Sequence, residues 1–160
     1  MSKRGLLFIG VIAAAGLLLM FTHHASAFGT SVELAGVMYD AEGKKLYPTE
    51  GDNFWIGKEG KYEMDPSETS YLVAKNPDGT VVGTGRLSPI DYQLQLRGGW
   101  SQYPVLLIYA GFYDPIRPER TQLLYCTSIE TSRIPQARKV FVDIACENIV
   151  LFDGTTGAYR

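Results

Sequence analysis

The positions of the two histidines limit the chemistry that this chain can perform. His23 and His24 are the only histidines, and none follows them in residues 28–160. A chain that loses its first 27 residues therefore has no histidine. This excludes Ser-His-Asp catalysis, Cys-His catalysis and all metal sites that use imidazole. We expect no catalytic residue, no metal site, no cofactor and no enzyme activity. Hydrolysis by a pair of carboxylates, which needs no histidine, stays open as an alternative.

Aromatic and arginine side chains beside glycine and proline turns are the candidate binding residues. Turn aromatics can stack on sugar rings or anchor a protein partner, and Arg and Tyr are favoured in interface cores. The candidates for contact with a partner or ligand are Trp100, Tyr103, Phe112, Tyr113, Arg117 and Arg120, with Trp55 as a further turn aromatic. The alternative is that these rings plug the open ends of a sandwich.

Residues 112–120 form the best candidate for a loop that contacts a partner. Pro115 and Pro118 stiffen a segment that displays Arg117, Arg120 and two aromatic rings. The alternative is an ordinary solvated connection.

A cluster of carboxylates is a weaker candidate for an ion site. The cluster comprises Asp52, Glu59, Glu63, Asp65 and Glu68. A Ca²⁺ site needs several oxygens within about 2.5 Å of one point, and the spacing here does not match that of an EF-hand. Solvated loop charge is the favoured interpretation, and ion binding by residues 52–68 stays open.

The N-terminal segment has the three parts of a secretory signal peptide. Lys3 and Arg4 form a positive region, residues 6–21 are uncharged and apolar, and Ala25-Ser26-Ala27 is a small-x-small cleavage pattern. The alternative is an uncleaved anchor, but the apolar run is shorter than the roughly 20 residues that span a bilayer. We predict a signal peptide over residues 1–27, no membrane span after cleavage, and a periplasmic or secreted protein.

Export bears on how the two cysteines are interpreted. Cys126 and Cys146 are the only cysteines of the chain, and an even count in an exported protein predicts a disulfide. A loop of about 20 residues closed by this bond would stabilise the fold by about 3 kcal/mol. Two free thiols are the alternative, and the spacing does not match a C-x-x-C redox motif.

The charge balance argues against nucleic acid as a partner. The formal net charge of the whole chain is −2, and removal of Lys3 and Arg4 with the signal peptide makes it more negative. Binding to phosphates needs Lys and Arg gathered on one surface, and no basic cluster is present. An anionic lipid surface is disfavoured for the same reason.

The pattern of residues 28–160 is that of β-strands. Residues 91–96 alternate between apolar and polar side chains, residues 104–110 are almost wholly apolar, and residues 139–152 form the longest β-like run. A hairpin is predicted over residues 70–87, with Asn76-Pro77-Asp78-Gly79 as its turn. Glycines inside the returning strand suggest a bulge or a close approach of two backbones.

These strands predict one all-β domain over residues 28–160. The fold class is an immunoglobulin-like or transthyretin-like sandwich of about 7–9 strands. Residues 57–68 are predicted as a loop, and residues 153–160 as a loose tail.

Residues 32–113 resemble the transthyretin-like modules found as regulatory or accessory domains of carboxypeptidases and in bacterial surface proteins. The resemblance lies in three pieces. The first is residues 36–46, with Gly36-Val37-Met38-Tyr39-Asp40 before a Gly43-Lys44-Lys45-Leu46 turn, and the second is the strand, glycine turn and return of residues 71–87. The third is a tyrosine-bearing strand over residues 92–96 followed by an apolar strand over residues 104–112, which ends in Gly111-Phe112. The resemblance implies a module that binds, spaces or stabilises, with no catalytic residues to transfer.

Three functions are thus open. The favoured one is an exported, non-enzymatic sandwich that binds a protein partner or belongs to an envelope or surface assembly. The second is a module that binds carbohydrate or a small ligand with its turn aromatics. The third is a histidine-free carboxylate hydrolase.

Overall fold

A computed structural model describes residues 31–49, 53–63, 70–153 and 158–159. The predicted signal peptide, residues 1–27, lies outside the described residues. No helix within those residues has the length and apolar character needed to cross a membrane.

Within the described residues, thirteen strands form three sheets. The strands are β1 (Val32–Gly36), β2 (Met38–Tyr39), β3 (Asn53–Gly57), β4 (Gly60–Glu63), β5 (Tyr71–Lys75), β6 (Val81–Leu87), β7 (Tyr92–Leu96), β8 (Val105–Phe112), β9 (Gln122–Glu130), β10 (Lys139–Phe141), β11 (Ile144–Ala145), β12 (Val150–Asp153) and β13 (Ala158–Tyr159). Short 3₁₀ turns lie at Pro118–Arg120 and Thr131–Arg133.

The sheets have a sandwich-like arrangement, which confirms the predicted all-β class. The largest sheet has seven strands in the order β10-β1-β7-β6-β5-β8-β9. A four-stranded sheet has the order β13-β12-β3-β4, and β2 pairs with β11. The core contains large side chains that are almost fully buried, among them Trp55, Tyr62, Tyr92, Leu94, Trp100 and Ile108.

The alternating pattern of β7 produces its two faces. Tyr92, Leu94 and Leu96 are buried, whereas Gln93 and Gln95 are exposed. Successive side chains of a strand point to opposite faces, so this one pattern defines the core side and the solvent side of the large sheet. The predicted half-buried strand is confirmed.

The β5–β6 hairpin also follows its prediction. The amide of Gly79 donates to the carbonyl of Asn76 at 2.9 Å, and Gly79 has a φ of +92°. A Cβ atom at Gly85 would lie 1.9 Å from the carbonyl oxygen of Gln93, which is closer than any side chain permits. The pairing also shifts register between Ala74 and Lys75. The strand glycines therefore mark both a bulge and a close backbone approach.

Two predicted boundaries are wrong. The predicted loop over residues 57–68 contains β4, which pairs with β3. The run over residues 139–152 contains three short strands instead of one: β10 pairs with β1, β11 with β2, and β12 with β3. The backbone leaves the large sheet between Phe141 and Ile144. The continuous apolar pattern of residues 139–152 therefore spans strands that belong to different sheets. At the C-terminus, β13 pairs with β12.

A kinked parallel ribbon links the N-terminal and C-terminal parts of the described chain. We use "ribbon" for residues 33–39 and 139–146, which pair as β1 with β10 and as β2 with β11. At the kink, a Cβ atom on Gly36 would lie 2.3 Å from the carbonyl oxygen of Val142, so only glycine fits. The carboxylate of Asp143 accepts a hydrogen bond from the amide of Val37 at 3.0 Å.

The hydroxyl of Tyr92 ties this kink to the large sheet. Its side chain is fully buried, and its hydroxyl donates to the carbonyl of Val142. Burial raises the pKa of Tyr92 above its usual range, and the negative charge of Asp143 raises it further. The phenol is therefore held neutral as a hydrogen-bond donor.

The predicted disulfide is confirmed. Cys126 in β9 and Cys146 just after β11 are bonded, with an S–S distance of 2.07 Å, and both are buried. Beside the bond, the amide of Glu147 donates to the carbonyl of Cys126 at 2.8 Å. The bond thus fixes the ribbon to the edge strand β9.

Replacing both cysteines by serine should lower the free energy of unfolding by about 3 kcal/mol, because the unfolded chain regains the freedom of the closed loop. Urea unfolding of the oxidised protein and of the double variant C126S/C146S measures this difference. Intact mass should also show two hydrogens fewer in the oxidised protein than in the reduced protein. Two thiols that react with an alkylating agent before reduction would refute the bond.

Replacing Tyr92 by Phe should change how stability depends on pH. Because folding raises the pKa of Tyr92, its contribution is fully present below about pH 10, the usual tyrosine pKa. Above that pH the unfolded state ionises first, and the free energy of unfolding falls by up to about 1.4 kcal/mol per pH unit. Urea unfolding from pH 8 upward should show a shallower fall for Y92F than for the unaltered protein. Parallel curves would contradict this role.

Candidate functional site

Three tyrosines form a patch on the outer surface of the large sheet. Tyr71, Tyr109 and Tyr125 belong to β5, β8 and β9, whose alternate residues Leu72 and Ile108 point into the core. The rings of Tyr109 and Tyr125 meet edge to face, with centroids 5.7 Å apart. We call Tyr71, Tyr109, Tyr125 and the adjoining Phe112 the tyrosine face.

Phe112 joins this patch to the loop that follows β8. Its ring lies edge to face against Tyr71, with centroids 6.0 Å apart. The guanidinium carbon of Arg120 lies 5.6 Å from the centroid of the Phe112 ring. The ring of Phe112, which also packs against the core, therefore links Tyr71 of the tyrosine face to Arg120 of the 112–120 loop.

Charged groups surround the tyrosines. The ammonium of Lys75 lies 4.9 Å from the centroid of the Tyr109 ring. The carboxylate of Glu59, from the β3–β4 turn, accepts a hydrogen bond from the amide of Tyr125. Burial raises the pKa of Tyr109, and the charge of Glu59 raises it further. These rings are thus half-buried and held in place by their neighbours.

The 112–120 loop is organised from within by Asp114. One carboxylate oxygen of Asp114 accepts hydrogen bonds from the amides of Ile116 and Arg117, each at 3.0 Å. The hydroxyl of Thr121 accepts from the amide of Asp114 at 3.0 Å and donates to its carbonyl at 3.2 Å. The hydrogen bond from Arg117 and the two neighbouring arginines help to lower the pKa of Asp114, so the carboxylate is ionised at neutral pH.

The side chains that this loop presents are exposed. Ile116 is 87% exposed, and Arg117 and Arg120 are exposed as well. Their guanidinium nitrogens lie 3.9 and 4.0 Å from the carboxylate of Asp114. Tyr113 is half-buried beside them. The loop therefore offers apolar and cationic groups from an ordered backbone.

Two of the predicted turn aromatics belong to the core. Trp100 is 1% exposed and Trp55 is fully buried, with the indole N–H of Trp55 donating to the carbonyl of Tyr47 at 3.1 Å. As a contact residue for a partner, Trp100 is therefore a wrong prediction. Its large apolar ring is sequestered beneath the turn that carries it.

Tyr103 is half-buried but separate from the other candidates. Its hydroxyl donates to Asp78 at 3.1 Å, which raises the pKa of Tyr103. Tyr103 precedes β8 and Phe112 ends it, so the two lie at opposite ends of that strand. The structure thus brings together Phe112, Tyr113, Arg117 and Arg120, and leaves Tyr103 apart.

The sequence predicts binding aromatics in turns, so the strand tyrosines are not among the predicted site residues. Their sequence signal is their register: Tyr71 precedes buried Leu72, and Tyr109 lies between buried Ile108 and Ala110. A large aromatic at the outward position of a strand is a candidate for contact with another molecule.

The described part of the acidic cluster shows no convergence on an ion. Glu59 accepts the amide of Tyr125, and the carboxylate of Glu63 pairs with Lys61. No group of three or more metal-ligating side chains lies within the described residues. Asp52, Asp65 and Glu68 lie outside them.

Comparison with known protein families, curated proteins and solved structures gives no match. The resemblance to transthyretin-like modules therefore stays a prediction.

Proposed function

We propose that this chain is an exported, non-enzymatic β-sandwich that binds a protein partner through the tyrosine face and the 112–120 loop. The observation that carries the proposal is the link, through the ring of Phe112, between the ordered arginine loop and the half-buried tyrosines. Tyr and Arg dominate the residues that contribute most to binding at protein interfaces, and such residues cluster.

The order within the loop favours binding. Ordering a flexible loop on association opposes binding by about 0.5–1.5 kcal/mol for each immobilised side chain. The hydrogen bonds of Asp114 and Thr121 already fix the backbone from residue 114 to residue 121. Arg117 and Arg120 are therefore presented from a backbone that needs little rearrangement.

Export is supported by two features of different kinds. Residues 1–27 have the pattern of a cleaved signal peptide. The Cys126–Cys146 bond suits an oxidising compartment such as the periplasm or the cell exterior. We propose a periplasmic or secreted protein whose partner belongs to the envelope or surface.

The absence of histidine from residues 28–160 supports a non-enzymatic function. A carboxylate hydrolase remains the least favoured alternative. It would need two carboxyl groups about 5–9.5 Å apart across a substrate.

A pull-down tests the proposed surface. The oxidised, exported protein is crosslinked in its native envelope or secreted fraction, captured, and analysed by mass spectrometry. The double variant Y113A/R117A should lose at least about 2 kcal/mol of binding free energy, which is about thirtyfold in Kd, because both side chains belong to the proposed contact. Its Tm should stay close to that of the unaltered protein.

Arg97→Ala is the matched control. Arg97 is exposed at the end of β7, and its guanidinium contacts Thr84 on another part of the sheet. This variant should retain the partner. Equal capture by Y113A/R117A and by the unaltered protein would refute the assignment of this surface.

A glycan-binding module is the second candidate, favoured by the row of aromatic rings on one sheet face. Tyr109 and Tyr125 are directly opposite each other in the β8–β9 pairing. On the neighbouring strand β5, Tyr71 lies diagonal to Tyr109. Rings at such positions can stack on sugars.

A glycan array tests this second candidate. If sugars bind, Tyr109→Ala should weaken binding at least about tenfold, by removing about 1.4 kcal/mol of stacking. Tyr103→Ala, at the other end of β8, should have no effect. An array with no signal above background, or equal signals from the two variants, would dismiss the glycan function.

A further inference from the structure

A groove lies between the two outermost strands of the large sheet. It has a volume of about 310 Å³ and is bordered by residues 127–130 of β9, Arg133, Ile134, Val140 and residues 142–145. We call it the seam groove. It is distinct from the tyrosine face and from the 112–120 loop.

One wall of the seam groove is the edge strand β9, and the other is the second half of the ribbon, residues 140–145 of β10, the kink and β11. In the described part of the chain, β9 pairs only with β8, and β10 pairs only with β1. An edge strand presents a row of unpaired backbone N–H and C=O groups. The ligand that satisfies such a row is another extended polypeptide, which adds a strand to the sheet.

The floor of the seam groove is apolar. Ile129, Val140 and Val142 are partly buried and pack against the core, and Ile134 is 6% exposed. No aromatic side chain is among the described residues that line the groove, so stacking on a sugar has no platform there. Apolar side chains at alternate positions of an added strand would cover this floor.

The two ends of the groove set its length. The Cys126–Cys146 bond joins the walls at one end, and the Thr131–Arg133 turn connects them at the other. The wall formed by residues 127–130 is about 13 Å long at 3.3 Å per residue. The groove therefore has room for about four or five residues of extended chain.

Charge distinguishes the two ends. Glu130 and Arg133 are paired at 3.2 Å beside the turn, so their charges offset each other. Glu147 follows the disulfide residue Cys146 and accepts a hydrogen bond from the hydroxyl of Thr127 at 3.1 Å, and Asp143 lines the groove while its carboxylate accepts from the amide of Val37. The disulfide end is thus acidic and is complementary to a Lys or Arg.

From these features we propose that the seam groove binds an extended segment of a partner protein by strand addition. The segment has apolar side chains at alternate positions and a Lys or Arg at the end that lies toward Asp143. This second site is independent of the surface proposed above.

A phage-displayed library of random eight-residue peptides, selected on the oxidised full chain, tests the proposal. Ala145→Arg places a long cationic side chain in the groove at an exposed position of β11. Ala137→Arg is the matched control, because Ala137 is exposed and does not line the groove. Tm measurements establish that both variants are folded.

The expected result is a set of peptides with alternating β-branched residues and a terminal Lys or Arg. Their Kd should rise at least about tenfold on A145R, a loss of about 1.4 kcal/mol, and stay unchanged on A137R. N-methylation of alternate amides should weaken binding in both registers, because one set of amides faces β9 and the other set faces the opposite wall.

Three outcomes would overturn the proposal. The first is no enrichment of peptides. The second is enriched peptides that bind A145R as tightly as the unaltered protein, or that tolerate N-methylation in either register. The third is a dimer in sedimentation that A145R dissociates while no peptide binds, which would identify a second copy of this chain as the occupant.

Discussion

The kink that Gly36 and Val142 share is the constraint on which the rest of the structure depends. Two parallel backbones bend there together and leave the seven-stranded sheet to form the β2–β11 pair. The bend brings the carbonyl of Val142 so close to Gly36 that any side chain would collide with it. The hydroxyl of Tyr92 donates a hydrogen bond to that carbonyl and so ties the kink to the large sheet.

The two proposed binding surfaces depend on where the ribbon leaves the large sheet. At the kink, β10 ends after three residues, and the neighbouring backbone forms the wall of a groove instead of a strand paired with β9. The Cys126–Cys146 bond stops the two walls from separating further. On the other side of β9, the pairing with β8 shifts register between Ile108 and Tyr109, and this shift places Tyr109 opposite Tyr125. One edge strand thus contributes its free side to the groove and its outer face to the tyrosine face.

Local chemistry made part of this fold predictable. The turn at Asn76–Gly79 and the alternation of β7 depend on residues that are close in sequence. The disulfide is predicted from the number of cysteines, which is two. The division of residues 139–152 depends on Gly36, a residue more than 100 positions away, so no local pattern reveals it. Likewise, the glycines around Trp100 indicate a turn, but only packing decides that its ring points into the core. The 112–120 loop was predictable because its prolines mark it, whereas the strand tyrosines required knowledge of the sheet register.

The ribbon also has a consequence for the order of folding. Its two halves come from opposite parts of the chain, so β1 is synthesised long before β10, its ribbon partner, exists. Strand pairings between residues this distant in sequence form slowly, because a long loop must close, at an entropic cost, before the stabilising contacts can form. The disulfide loop spans only 20 positions and joins β9 to the second half of the ribbon. Oxidation of this loop before the N-terminal strand docks would create a preformed C-terminal template, and completion of the sandwich would then be the docking of β1 and β2 against it.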